Sequence, residues 1–332
     1  MGRDMTGQQQ RRLAVAMARL ADTCGSLRAP LRVAVHGLPG VGHRTVAAAL
    51  VVLGRVEVVG HEPDITVRVI AEVVKPEDRQ AIEEATGPVL VVLTKADLCG
   101  FGPGGPVETA RRRCAQLARL TGAPTEPMVG LLALAALDPD ILDEPLVEAL
   151  RVLAGRPADL RTAETFVAGP HPVPGAERQR LVDALDLFGI AHAVVALRAA
   201  PDGVTSEAVR AVLRRVSGVD AIAARIEGLG AQVRYRRLQA LLTEWATRAP
   251  TDPDIAEVLL SDDVVLARMA AAVDVLSAAG VEPELDGSDT RAAHLRRALR
   301  WRTYGAGPVT ALHRACAADV TRGSLRLWGA HR

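Results

Sequence analysis

Residues 31–50 read LRVAVHGLPGVGHRTVAAAL and determine the fold class predicted for the first half of the chain. Leu31–Val35 has the β-branched, apolar composition of a buried strand, and Thr45–Leu50 has the composition of a helix. The glycine-rich segment Gly37–Gly42 lies between them. A loop of this kind at the start of a helix presents backbone N–H groups and the positive end of the helix dipole to an anion. We therefore expect a phosphate-binding loop here.

The loop departs at two positions from the phosphate-binding motif G-x-x-x-x-G-K-[ST]. Gly37 and Gly42 have the spacing of the two glycines of the motif. His43 stands where a lysine should reach the β- and γ-phosphates, and Arg44 stands where a hydroxyl should bind Mg²⁺. Thr45 supplies a hydroxyl one residue later. We expect a nucleotide-binding scaffold with altered catalytic groups, and the presence of Mg²⁺ stays open.

A second motif follows the apolar run Pro88–Leu93, which is typical of a parallel strand covered on both faces. The motif is TKAD at Thr94–Asp97, at the strand end where open α/β sheets bind ligands. A carboxylate at Asp97 can accept two hydrogen bonds from the N1–H and N2–H₂ edge of guanine, whereas adenine presents an acceptor there. The alternative is a solvated turn. Lysine occurs in this chain only at Lys75 and Lys95, so a TKAD motif would rarely arise here by chance. We therefore favour guanine recognition over the solvated turn.

In this order, the two motifs resemble those of the P-loop GTPases of the translation-factor class. The resemblance covers residues 31–154 and implies that GTP or GDP binds there, with the loop glycines at the phosphates and Lys95 and Asp97 at the base. A helix before the first strand and a helical region after the nucleotide domain look like the layout of bacterial dynamin-like GTPases, a weaker resemblance. The candidate nucleotide-binding residues are Gly37, Gly40, Gly42, His43, Arg44, Thr45, Thr94, Lys95 and Asp97.

Other elements of that family do not have a counterpart in this chain. The interval between the two motifs is about half the usual length, and neither Asp64–Val67 nor Asp78–Ala81 has the glycine of a D-x-x-G motif. The leading interpretation is a degenerate GTPase-like protein that binds guanine nucleotide or phosphate as a structural or regulatory ligand, with little or no hydrolysis. An active GTPase completed by a partner or a dimer, possibly dynamin-like, is the first alternative. A nucleotide-free interaction scaffold is the second.

The order of elements predicts an α/β fold followed by an all-α part. Alternating strands and helices over residues 31–154 indicate a truncated parallel-sheet, P-loop NTPase-like domain, in which Pro127–Leu134 is expected to be a strand or the end of one. Residues 1–30 are predicted to form an N-terminal helix that packs on this domain. Glycines and prolines over 155–176 predict a linker, and 177–332 read as a helical bundle domain.

The charge and the amino-acid composition of the chain limit the functions that we expect of it. The 332 residues carry a formal charge of +1, which does not indicate a nucleic-acid binder. Four scattered cysteines without a C-x-x-C pair and the absence of a long apolar run predict a cytoplasmic protein without a transmembrane segment, so membrane contact is not expected. Dispersed histidines do not predict a metal site, and no residue is assigned a catalytic role. We expect a protein partner of unidentified nature, and Arg296–Arg302 is interpreted as a solvated face rather than an acidic-partner site.

Overall fold

The computed structural model describes residues 29–100, 102–199, 205–282 and 290–330, together with Val15 and Ala18. Within them the first domain contains a five-stranded sheet with strands β1 (Arg32–Gly37), β2 (Glu57–Val58), β3 (Ile65–Ala71), β4 (Val89–Thr94) and β5 (Thr125–Met128). The strand order is β2-β1-β3-β4-β5, and neighbouring strands are parallel. The predicted parallel α/β fold followed by a helical region is thus confirmed.

The helices alternate with the strands and then continue alone. Those between and directly after the strands are α1 (His43–Leu53), α2 (Pro76–Glu83), a 3₁₀ turn (Ala96–Leu98), α3 (Gly105–Thr121), α4 (Gly130–Leu137) and α5 (Glu144–Gly155). The later ones are α6 (Ala163–Ala168), α7 (Gly175–Ala199), α8 (Ser206–Ser217), α9 (Val219–Arg248), α10 (Pro253–Leu260), α11 (Asp262–Ala278), α12 (Arg291–Ala306) and α13 (Ala311–Ala330).

The sheet reverses its order between β1 and β3. Strand β2 lies on one side of β1, while β3 lies on the other side and leads on to β4 and β5. The residues Leu90–Leu93 of β4 are completely buried, as a strand covered on both faces requires. In an open α/β sheet, such a reversal leaves a crevice at the carboxyl ends of the two central strands. This crevice is where the predicted loop begins.

A buried ion pair joins the centre of β3 to the first turn of α2. The Arg68 guanidinium donates from Nε and Nη2 to Asp78 Oδ1, at 2.8 and 2.7 Å. The other oxygen of Asp78 accepts the backbone N–H of Lys75 at 3.0 Å, as an acid in the first turn of a helix commonly does. Because the two side chains are only 12% and 3% exposed, the loss of either partner would leave a charge in the interior.

The contacts between residues divide the chain into two units at a point other than the predicted linker. One compact unit is Pro30–Ile226, and the described residues from Glu227 onward belong to the other, so that the division falls inside α9. The segment 155–176 contains α6, and Phe166 and Val173 are buried in the core of the first unit. The glycines and prolines there mark turns, whereas these apolar side chains anchor the segment. The predicted N-terminal helix lies almost entirely outside the described residues.

Helices α7 and α8 also belong to the α/β unit, contrary to the predicted start of the helical domain at 177. The backbone N–H of Val129 donates to Ser217 O at 2.9 Å, across the start of α4 and the end of α8. A Cβ atom on Gly189 of α7 would lie 2.3 Å from Leu132 Cδ2 of α4, so α7 and α4 approach closely. The strand or strand end expected over Pro127–Leu134 is present only as the end of β5 at Met128, and the rest is corrected because α4 begins at Gly130.

The second unit is all-α, with a polar cluster inside its apolar core. Asp319 of α13 accepts hydrogen bonds from the Tyr235 hydroxyl at 2.7 Å and from Arg322 at 3.0 Å, and it pairs with Arg268 at 2.9 Å. Burial, with a contribution from Asp319, raises the pKa of Tyr235 far above its ordinary range. No helix within the described ranges is long and apolar enough to span a membrane.

Candidate functional site

The glycine loop, Leu38–Gly42, connects β1 to α1 at the carboxyl edge of the sheet. Gly40 and Gly42 have φ values of 83° and 85°, in the left-handed region that glycine adopts without strain. Among the described residues, no side chain caps the N terminus of α1. The backbone N–H groups of the first turn of α1 have no partner within the helix either, since they precede its first hydrogen bond. The loop therefore has the backbone geometry expected of an anion site.

The glycines of this loop serve two different purposes. A Cβ atom on Gly37 would lie 2.7 Å from Val41 Cγ2 and 2.8 Å from Val69 O, so this position accepts no side chain as the loop folds over β3. A Cβ atom on Gly40 or Gly42 would meet no atom within 4 Å. The space beside these two residues is therefore open, and it leaves room for a phosphate group next to the loop.

The two predicted motifs are joined by one side chain. Thr94, the last residue of β4, is buried, and its hydroxyl lies 2.5 Å from Val41 O and 3.0 Å from Ile70 O. The hydroxyl therefore ties the end of β4 to the glycine loop and to β3. The structure thus brings the predicted TKAD motif against the predicted loop, although the two are separated by about 50 residues.

Residues with left-handed backbone angles surround the same edge. Lys95 follows β4 directly and has φ 53°, Glu72 follows β3 directly and has φ 64°, and Asp186 interrupts α7 at φ 52°. Each such conformation costs of the order of 1–3 kcal/mol in a residue other than glycine, and such residues cluster at functional sites. Backbone strain of this kind is the reason to regard the edge as more than a structural junction.

Asp97 and Asp186 interact electrostatically. Burial raises the pKa of the Asp97 carboxyl group above its ordinary value of 3.8, a hydrogen bond to the backbone lowers it, Asp186 raises it and Lys95 lowers it. The net direction is upward. Asp186 is a site residue that the sequence did not indicate, because it lies within a helix and nearly 90 residues from Asp97; in the structure its positive φ marks the position.

An NMR titration should place the pKa of Asp97 above 3.8, and Asp186→Asn should lower the pKa of Asp97 because a neutral amide does not repel the carboxylate.

The raised pKa also affects stability. Since the pKa of Asp97 is higher in the folded state than in the unfolded state, the ionised Asp97 destabilises the fold at neutral pH. That destabilisation is lost as the pH falls through the folded-state pKa. Asp183→Asn, at an exposed position of the same helix, is the control. An Asp97 pKa unaffected by Asp186→Asn would contradict the pairing.

The remaining predicted residues line the start of α1. Arg44 is exposed, whereas His43 and Thr45 are half-buried. A Cβ atom on Gly130 would lie 2.9 Å from Thr45 Cγ2, so the start of α4 packs directly against Thr45. Throughout the described parts of the chain, no group of three or more histidine, cysteine, aspartate or glutamate residues is arranged to hold a metal ion.

Comparison of the chain with family models, with curated proteins and with solved structures finds no match.

Proposed function

We propose that the α/β domain binds a guanine nucleotide, GDP or GTP, as a structural or regulatory ligand and hydrolyses it slowly or not at all. The observation that carries the proposal is the contact of the Thr94 hydroxyl with Val41 O at 2.5 Å, since it brings a phosphate-type loop and a base-type motif to one edge. That edge is the crevice where open α/β sheets commonly bind ligands.

The phosphates would lie against the glycine loop. Their negative charge suits the free N–H groups and the positive dipole end of α1. The exposed Arg44 in the first turn adds a guanidinium group, whose planar set of N–H donors can form paired hydrogen bonds with phosphate oxygens. The open space beside Gly40 and Gly42 supports the same assignment.

The base would lie between Lys95 and Asp97. A carboxylate accepts both the N1–H and the N2–H₂ donors of guanine, whereas adenine has an acceptor at N1 and no amino group at C2 and would leave the carboxylate without either hydrogen bond. The exposed Lys95 can place its methylene stem over the base plane. Burial raises the pKa of Asp97, and the two N–H donors of a bound guanine would stabilise its ionised form.

Slow or absent hydrolysis follows from the residues at the phosphate end. Phosphoryl transfer depends on positioned cations and a positioned water molecule. His43 and Arg44 replace the lysine and the hydroxyl residue of the phosphate-binding motif, so the loop is suited to binding rather than to catalysis.

Calorimetric titration with GDP, GTP and ATP, with and without Mg²⁺, tests the proposal. We expect GDP and GTP to bind more tightly than ATP, and Asp97→Ala to weaken GDP binding by about 1–3 kcal/mol, because charge-assisted hydrogen bonds are lost. Asp97→Asn should instead favour xanthine nucleotides, because the amide reverses the donor pattern. Asp183→Ala, an exposed change, should leave binding unaffected.

Three outcomes would contradict the proposal. Equal affinity for ATP and GTP would remove the role of Asp97 as the base-reading residue. No binding of any nucleotide would favour the interaction scaffold. Phosphate release from GTP at ordinary GTPase rates would favour the active enzyme.

A further inference from the structure

A cavity of about 390 Å³ lies between α12 and α13 in the helical unit. Trp301 and Gly305 line it from α12, and Ala318, Thr321 and Leu325 line it from α13. Small residues let the helices approach, since a Cβ atom on Gly305 would lie 3.1 Å from Ala317 Cβ. The wall is mainly apolar, and Leu325 is 45% exposed at its edge. This volume is within the usual range for a small-molecule site.

The same cavity is bordered by positive charge. Arg302, Arg314 and Arg322 line it, and none of its described lining residues is acidic. Arg314 donates to the backbone carbonyls of Gly305 and Val309, both at 3.3 Å. Arg322 shares the Asp319 carboxylate with Arg268. For Arg302, the described part of the chain contains no hydrogen-bond or ion-pair partner, so one guanidinium is available to a ligand.

Trp301, which lines the cavity from α12, is itself 1% exposed. An apolar wall and a cationic border together favour a ligand with an apolar body and an anionic end.

We propose that this cavity binds an amphiphilic carboxylate, with its alkyl or aryl body against Trp301 and Leu325 and its carboxylate at Arg302. Arginine is suited to the head group because its planar fork pairs with both carboxylate oxygens. A volume of about 390 Å³ corresponds to a small-molecule site rather than to the extended surface of a protein interface. This assignment does not depend on the nucleotide site.

Titration of the full chain with decanoate, decylammonium and decanol, each below its micelle concentration, tests the proposal by calorimetry and tryptophan fluorescence. Decanoate should bind most tightly and change the emission, because Trp301 lines the cavity. Arg302→Gln should weaken decanoate binding about fivefold or more and leave decanol binding unchanged. Ala318→Leu should weaken both, because it fills the cavity from an exposed helix position.

Matched controls are Arg296→Gln and Ala292→Leu, which change exposed residues of α12 that do not line the cavity and should not affect binding. If Ala318→Leu fails to fold, Leu325→Glu at the exposed edge serves instead, since its negative charge should repel decanoate. Equal decanoate binding by the parent and the cavity variants, or equal affinity for decanoate and decylammonium, would overturn the proposal. Binding to vesicles of anionic lipid without binding of free decanoate would overturn it in favour of a membrane surface.

Discussion

Asp78→Ala is expected to lower the free energy of unfolding of the α/β domain by about 3–5 kcal/mol. The change leaves the Arg68 guanidinium, whose side chain is 12% exposed, in the interior without its carboxylate. It also removes the acceptor for the Lys75 N–H at the start of α2. Truncating one partner of a buried pair is more destabilising than removing both, because the other charge stays desolvated.

Urea unfolding followed by far-ultraviolet circular dichroism measures the change, and amide exchange in β3 and β4 localises it. The double variant Arg68→Met/Asp78→Leu should recover much of the loss, since no charge is then left buried. Asp159→Ala is the control, because Asp159 pairs with Arg161 on the surface and its loss should have no measurable effect. A similar small effect for Asp78→Ala would show that water reaches Arg68.

Asp319→Ala should destabilise the helical domain by about 3 kcal/mol. The carboxylate is 2% exposed and joins three helices, through Tyr235 of α9, Arg268 of α11 and Arg322 of its own helix α13. Its removal leaves the buried Tyr235 hydroxyl without an acceptor, and buried donors without partners are costly. The arginines contribute less, because both are partly exposed and can be solvated.

Tryptophan fluorescence is a specific probe for this variant, since all three tryptophans, Trp245, Trp301 and Trp328, lie in the helical unit. Arg322→Ala is the matched control within the same cluster. It should cost less than about 1 kcal/mol, because the Arg322 side chain is 56% exposed. Tyr235→Phe should fall between the two variants. Equal losses for Arg322→Ala and Asp319→Ala would indicate that the surface pair, rather than the buried hydroxyl contact, stabilises the cluster.

Several elements could be predicted from the sequence because their signals are local. The strand and helix around the glycine loop depend on residues adjacent in the chain, and so does the buried strand before TKAD. The strand or strand end expected over Pro127–Leu134 is strand only as far as Met128 and then mostly the helix α4, because a short apolar run fits either structure until its packing is known. The sequence predicts a solvated face over the amphipathic segment Arg296–Arg302, yet Trp301 within it is only 1% exposed.

By itself, the sequence determined the parallel α/β fold, the helical second part and the presence of the two motifs, since each depends on composition or periodicity over a few residues. Only the tertiary structure decided that Thr94 contacts Val41, that Asp186 acts on Asp97, and that residues 155–226 belong to the α/β unit. The physical reason is that these facts depend on which strands become neighbours and which helix faces find a partner. Such long-range pairings follow from packing the whole core, and no local pattern encodes them.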